Sequence, residues 1–436
     1  MKRMLTIVCA LSLVALLVVP AQAEVQNIKI GGSIDIRGFL RDNYTTAGSG
    51  GGRAVTGFTN TNSRDWYNMV TKLAVEADLT DNVGANILLG NERDWGTAAA
   101  AGGGQGIVAL ASYITLKEML YSPLTVKAGR FPLQVADGLV VGDGVTGETA
   151  AANVIATDYS MHHEWDAIMG VLDYDPMTLY VGVGKLADAT QATTDDVDIF
   201  VIDSVYQMED YKAVLDTYFA NAHYSSPGNG ATTGNTGALS SQGIDVYVLA
   251  TRVTAEPADN IMAELGLAYQ FGDYQKTAAV SRDLKAYAFN LGLDYAISAD
   301  YSPKVGCKYI YRSGNKNTTG DYKGWLPLTE NQVNGIIRDP NTNTSSFALT
   351  GSLVPLDRLT VGMDIWFYQL AQKQTATATR TTKKEDGTEV DLNLKYAYTE
   401  DVTMGLSFAY FMPGDYYATG NDKTAKQIMT ELGVKF

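Results

Sequence analysis

Apolar and polar residues alternate along almost the whole of this chain, most clearly near its C-terminal end. In "EVDLNLKYAYTEDVTMGLSFAYF" Val390, Leu392, Leu394, Tyr396 and Tyr398 fall on one side, and Asp391, Asn393 and Lys395 on the other. After the turn at 399–401 the alternation resumes with Val402, Met404, Leu406, Phe408 and Tyr410. Period two marks a β-strand whose faces meet different surroundings. Roughly eighteen such segments can be counted between 27–44 and 425–436, with sixteen left open. The connections alternate in length as well. Short ones fall at 80–82, 173–176, 208–210, 255–260, 355–357 and 399–401, and long Gly-, Thr-, Asn- and Asp-rich ones at 45–64, 133–160, 225–241, 314–343 and 371–387.

That rhythm constrains the fold because a long antiparallel array must hide its edges. In hydrocarbon no strand edge can stay unpaired, so the sheet closes on itself. Short turns on one side and long loops on the other are what an up-and-down transmembrane barrel requires. The expected fold class is therefore all-β, a transmembrane antiparallel barrel with short periplasmic turns and long extracellular loops. A secreted sandwich or solenoid would explain the alternation, but not one apolar face kept through a single unbroken array. Aromatic residues near strand ends, among them Trp66, Tyr67, Tyr113, Tyr301, Tyr311, Tyr396 and Tyr410, fit an interfacial belt.

The N-terminal stretch "MKRMLTIVCALSLVALLVVPAQA" has a basic start, an apolar run and an Ala21-Gln22-Ala23 cleavage pattern. It is expected to be a signal peptide, residues 1–23, leaving residues 24–436 as one barrel domain. Removing Lys2 and Arg3 from the 33 basic residues leaves 31 against 48 acidic ones, a net charge of −17. Such a balance argues against nucleic acid or an anionic lipid surface as partner. Of the 2 cysteines, Cys9 leaves with the peptide and Cys307 alone makes no internal disulfide. The closing "AKQIMTELGVKF" sets Ile428, Thr430, Leu432, Val434 and Phe436 on one side. Phe436 is expected at the periplasmic interface, on the strand that pairs with "NIKIGGSIDIRG". An alternating last strand with a final Phe resembles the insertion signal of outer-membrane barrels, which implies the barrel-insertion machinery as a partner.

The polar faces carry the function. Where parity is clear, Lys29, Arg37, Lys72, Lys308, Arg312, Lys395 and Lys435 turn inward, as do Asp35, Glu76, Asp78, Asp294, Asp364, Asp391 and Glu431. Facing lipid, each would cost a few kcal/mol near the midplane; facing water, they line a lumen. For any one of them, bracing the wall is an equally good reading. A lumen of this strand number is too wide for strand side chains to fill. The long connection 132–161, "PLQVADGLVVGDGVTGETAAANVIATDYSM", is the expected constriction loop, carrying Asp137, Asp143, Glu148 and Asp158.

"LTVKAGRFPLQVADGLVVGDG" resembles a segment of alginate-export-type and related outer-membrane porins, in which a strand ending Gly-Arg leads into a pore loop. The matching positions are Gly129, Arg130, Gly142, Asp143 and Gly144. The resemblance implies Arg130 as a pore residue and an acidic polysaccharide as solute. A balanced lining does not suit that solute, and strict parity turns Arg130 outward unless Gly129 makes a bulge.

Catalytic and metal chemistry find little footing. In "MHHEWD" the adjacent His162 and His163 would face opposite ways on a strand, with only His223 elsewhere. "AAAAGGGQG" at 98–106 lacks the strand-to-helix setting of a phosphate loop. No enzyme, cofactor or metal is expected. The reading is an outer-membrane channel for small polar or oligosaccharide solutes, embedded in outer-membrane lipid. The alternative is a scaffold barrel sheathing an electron-transfer partner. A homo-oligomer or a periplasmic partner protein stays open.

Overall fold

The computed structural model describes residues 27–43, 46–47, 54–55, 58, 63–96, 106–120, 123–142, 159–187, 197–224, 244–276, 281–316, 319–329, 331 and 333–436. The expected signal peptide lies outside them. The barrel strands are β1 (Asn27–Asp42), β2 (Arg64–Thr80), β3 (Val83–Asp94), β4 (Val108–Leu116), β5 (Leu124–Pro132) and β6 (Glu164–Asp173). Next come β7 (Met177–Ala187), β8 (Val197–Met208), β9 (Ala213–Tyr224), β10 (Ile244–Ala258), β11 (Ile261–Lys276) and β12 (Ser281–Ala296). The last are β13 (Lys304–Arg312), β14 (Thr344–Leu356), β15 (Leu359–Leu370), β16 (Glu385–Ala397), β17 (Val402–Pro413) and β18 (Ala425–Lys435). Each pairs antiparallel with its neighbours in sequence order, and β1 pairs with both β2 and β18, so the 18-stranded sheet is closed.

Alternation sets the two faces. On β1 the even positions Ile28, Ile30, Ile34 and Leu40 are exposed on the outside, while Phe39 and Arg41 are buried within. The outer wall carries paired aromatics over a long sector. Tyr247 stacks on Phe271 at 5.3 Å, Tyr287 on Tyr311 at 5.5 Å, and Phe289 on Tyr311 at 5.0 Å. Phe347–Phe367 and Phe408–Tyr410 extend the belt at 6.3 Å. Trp66 and Tyr113 depart from the expected rim. They turn inward, Trp66 against Phe39 and Tyr113 against Phe131.

The seam between first and last strands runs from Ser33↔Lys435 to Asp42↔Lys426. Beyond it, Phe436 N–H donates to Gly32 O at 3.1 Å, and Gly32 N–H donates to Phe436 O at 2.8 Å. A Cβ on Gly32 would sit 2.8 Å from the Phe436 ring and 2.5 Å from Lys72 O. Glycine therefore lets the aromatic ring lie flat over the backbone at the closure. Replacing Gly32 with Val should overpack the seam by about 1–3 kcal/mol. The folded, fast-migrating form in unheated detergent gels should decrease relative to wild type.

Candidate permeation site

The inner wall of β9–β12 is lined by small apolar residues: Ala220, Ala222, Val246, Val248, Ala286 and Ala288, all buried. Apolar surface turned toward a hydrated lumen needs a cover. Two loops supply it. Val135, Leu139, Val140 and Val141 from the connection after β5, and Trp325, Leu326 and Leu328 from the connection after β13, share one core with that wall. The loops also pair with each other. Gly142 N–H donates to Thr329 O and Asn331 N–H to Gly138 O, each at 3.0 Å.

Inward side chains anchor the loops. Gln270 on β11 donates to Leu326 O at 2.7 Å and accepts from Leu326 N–H at 2.9 Å. Trp165 Nε1 donates to Gly142 O at 3.0 Å, and Asn290 Nδ2 to Asp137 Oδ2 at 3.0 Å. The loop after β5 has its other described end against β1–β3. There Tyr159 packs on Phe39 at 5.2 Å, and its carbonyl accepts from Arg37 at 3.2 Å. Glu92 accepts from Ser160 Oγ at 3.0 Å and from Met161 N–H at 3.2 Å. Asp137 and Tyr159 thus lie against nearly opposite sides of the barrel. Asp143, Glu148 and Asp158 lie outside the described residues.

The connection after β13 continues round the inner wall to β15 and β16. Glu389 accepts from Ile337 N–H at 2.6 Å and Arg338 N–H at 2.9 Å, and Asp391 from Ile336 N–H at 3.2 Å. Arg338 donates to Asp386 Oδ2 through Nε at 2.9 Å and Nη2 at 2.6 Å. Burial alone would weaken the Arg338 charge, but Asp386 more than offsets this and holds the guanidinium above its ordinary range. Tyr417 donates to the other oxygen of Asp386 at 2.6 Å.

The charged lining gathers below these loops. Asp137, Arg252, Glu264, Asp294 and Lys308 border a cavity of about 380 Å³, with Arg252 Nε 3.0 Å from Glu264 Oε1. Arg312 is almost wholly buried, donating to Asn290 Oδ1 at 2.8 Å. Arg37 pairs with Glu431 at 3.0 Å across the seam. Register places Lys72, Glu76, Asp364 and Lys395 on the inner face as well. Arg130 does not join them. Its neighbour Phe131 points into the core, so Arg130 faces outward, paired with Asp166 at 2.8 Å. Gly129 has φ +130 and approaches Ser112 O too closely for any Cβ, yet the Tyr113↔Gly129 register runs on without a shift. His162 and His163 precede β6 rather than lying on a strand.

Sequence reading missed Arg252, Glu264, Asp203 and Asp216 in the lining, and it missed the connection after β13 as a second inward loop. Asp203 and Asp216 are buried on the inner face of neighbouring strands, Asp203 opposite Tyr218 and Asp216 opposite Val205. The available signal was the run of Ala and Val on the face of β9, β10 and β12 opposite their outward Phe, Tyr and Leu, since an apolar inner face implies something covering it.

A closed wall of this kind, with a charged lumen and long connections folded inside, defines an outer-membrane channel of the porin type and not an enzyme. The family model described as alginate export matches residues 207–431, about half of the chain. The chain belongs to that family. Its fold is similar to that of OccK2 (OpdF) from Pseudomonas aeruginosa, crystallised in complex with glucuronate, at 11% identity and TM-score 0.57, covering 94% of this chain and 99% of that one. OccK11 (OpdR) from the same organism gives 10% and 0.59, over 94% and 96%. OccAB4 from Acinetobacter baumannii gives 11% and 0.54, over 95% and 100%. No curated protein matches.

Arg338→Ala should cost about 3–5 kcal/mol, because it leaves the buried Asp386 with Tyr417 but without the guanidinium that faces it. Thermal unfolding followed by circular dichroism in detergent would show the loss, and Arg338→Lys should recover part of it.

Proposed function

We propose that the chain is a passive outer-membrane channel for small polar solutes, uncharged or cationic, exported through cleavage of residues 1–23 and inserted by the barrel-insertion machinery. The loop 132–161, with Asp137, Asp143, Glu148 and Asp158, forms its narrow section. Arg37, Lys72, Glu76, Asp294, Lys308, Arg312, Asp364 and Lys395 belong to the lining. The observation that carries this reading is the placement of Asp137 inside the barrel, hydrogen-bonded to Asn290 and bordering the charged cavity.

Family membership brings an acidic polysaccharide forward as solute, and OccK2 was crystallised with an acidic sugar. The wall here opposes a polyanion. Asp203, Asp216, Glu264 and Asp294 interleave with Arg252 and Lys308, so the described residues of this sector form no continuous basic track for it. A threaded electron-transfer partner is the weaker reading, since the protein's own loops occupy the space that partner needs.

A narrow, low-dielectric section concentrates the field of its fixed charges. Purified protein in planar bilayers should give ohmic steps with modest cation preference, decreasing as the Debye length falls below ~10 Å at higher salt. Changing Asp137, Asp143, Glu148 and Asp158 to Asn or Gln should move the reversal potential toward anions. An unmoved potential removes the loop from the pore. In liposome swelling, a neutral disaccharide should enter faster than a diuronate, and the reverse order overturns the solute assignment.

A further inference from the structure

The outer wall is not uniform. Outward aromatics follow one another from Phe200 and Tyr206 on β8 to β17, but on β4–β7 every described aromatic turns inward, namely Tyr113, Phe131, Trp165 and Tyr180. A row of outward ionisable side chains, matched strand to strand, starts in that sector on β5 and runs on to β10. Arg130 is opposite Asp166, Asp166 opposite Lys185, Lys185 opposite Asp198, Asp198 opposite His223, and His223 opposite Asp245. Close contacts join Arg130 to Asp166 at 2.8 Å, Lys185 to Asp198 at 3.3 Å and His223 to Asp245 at 2.9 Å.

Depth makes the row anomalous for a lipid-facing surface. Arg130 lies six residues along β5 from Leu124, the first residue after the short turn. At about 3.3 Å per residue and a tilt of about 40°, that is about 15 Å above the periplasmic end. Lys185, eight residues from Met177, comes to about 20 Å on the same basis. Both fall within an apolar band of about 25 Å, where ionised groups facing lipid are unfavourable. A concave groove of about 950 Å³ follows the row, floored by Ser112, Gly129, Ile168 and Val183.

We infer that the outer face of β4–β8 is a subunit interface, occupied by a second copy of this chain. Charge pattern selects that occupant over lipid. At that depth lipid offers acyl chains, which give the alternating Arg130, Asp166, Lys185 and Asp198 neither counter-charge nor hydrogen bond. A second copy related by an axis along the membrane normal brings opposite charges together. With the axis between Lys185 and Asp198, Lys185 of each copy meets Asp198 of the other, and the copies share one isologous patch. Protein then covers the outward ions, and the aromatic belt is left to the lipid-facing remainder of the barrel.

The test uses the full chain in intact outer membranes. Cys307 faces outward on β13, away from the groove, so wild-type protein provides the internal control. Val183→Cys in a Cys307→Ser background should form a disulfide-linked dimer on mild oxidation, at least tenfold more than wild type. Native mass spectrometry in mild detergent should show an oligomer. Lys185→Asp should reduce it severalfold, and the exchange Lys185→Asp with Asp198→Lys should restore it. A Val183→Cys protein that stays monomeric, with native mass equal to one chain plus bound lipid, overturns the proposal and assigns the groove to lipid.

Discussion

Everything in this structure depends on one pairing, the antiparallel seam of β1 with β18. A sheet in hydrocarbon has no water to satisfy its edge groups, so each strand must have two neighbours. The other pairings are between strands consecutive in sequence. The seam alone joins residues as distant as Arg37 and Glu431, 394 positions apart. Once it forms, inside and outside are defined for every residue by parity, and a one-residue slip at the seam would exchange the two sets. Lipid-facing aromatics, lumen charges and loop placement all follow from that assignment.

The scaffold was therefore unusually legible. Strict alternation, a short-long rhythm of connections and outward apolar positions are local properties, and each of the eighteen strands lies where the pattern placed it, within a few residues. Inward charges such as Lys308, Asp364 and Lys395 were readable for the same reason, since each sits between apolar or aromatic outward neighbours. Polarity contrast vanishes where both faces of a strand are apolar. In "VDIFVIDSVYQM" Ile199 and Val201 face a packed loop while Phe200 and Ile202 face outward, so parity there carries no polarity contrast. Asp203 was hidden by that ambiguity, and Asp216 with Arg252 escaped with it.

Loop placement was half legible. The segment after β5 reads as inward-folding from its length, its Gly-rich acidic composition and a lumen that needs narrowing. The apolar Leu139, Val140 and Val141 that pack it against the wall carried no weight in that reading. The segment after β13 has apolar residues of the same kind at Trp325, Leu326 and Leu328, but it is surrounded by Asn, Thr and Gly that read as solvated surface. What brings it inside is a set of partners on other strands, Gln270 and Glu389, which no local pattern discloses. Arg130 shows the opposite failure: a motif resemblance suggested the lumen, whereas parity, the simpler physical argument, put it on the outside.

The apolar inner wall beneath the loops also bears on how such channels diverge. Residues no larger than valine at Ala220, Ala222, Val246, Val248, Ala286 and Ala288 form a socket shaped for particular loop side chains. Loops of this kind are not interchangeable cassettes. Grafting them onto a barrel with a charged inner face would strand their leucines in water, and deleting them here would expose a dry strip inside a wet conduit. Loop and wall are one packed unit, so a change of bore in this channel calls for compensated exchanges on both sides of that contact.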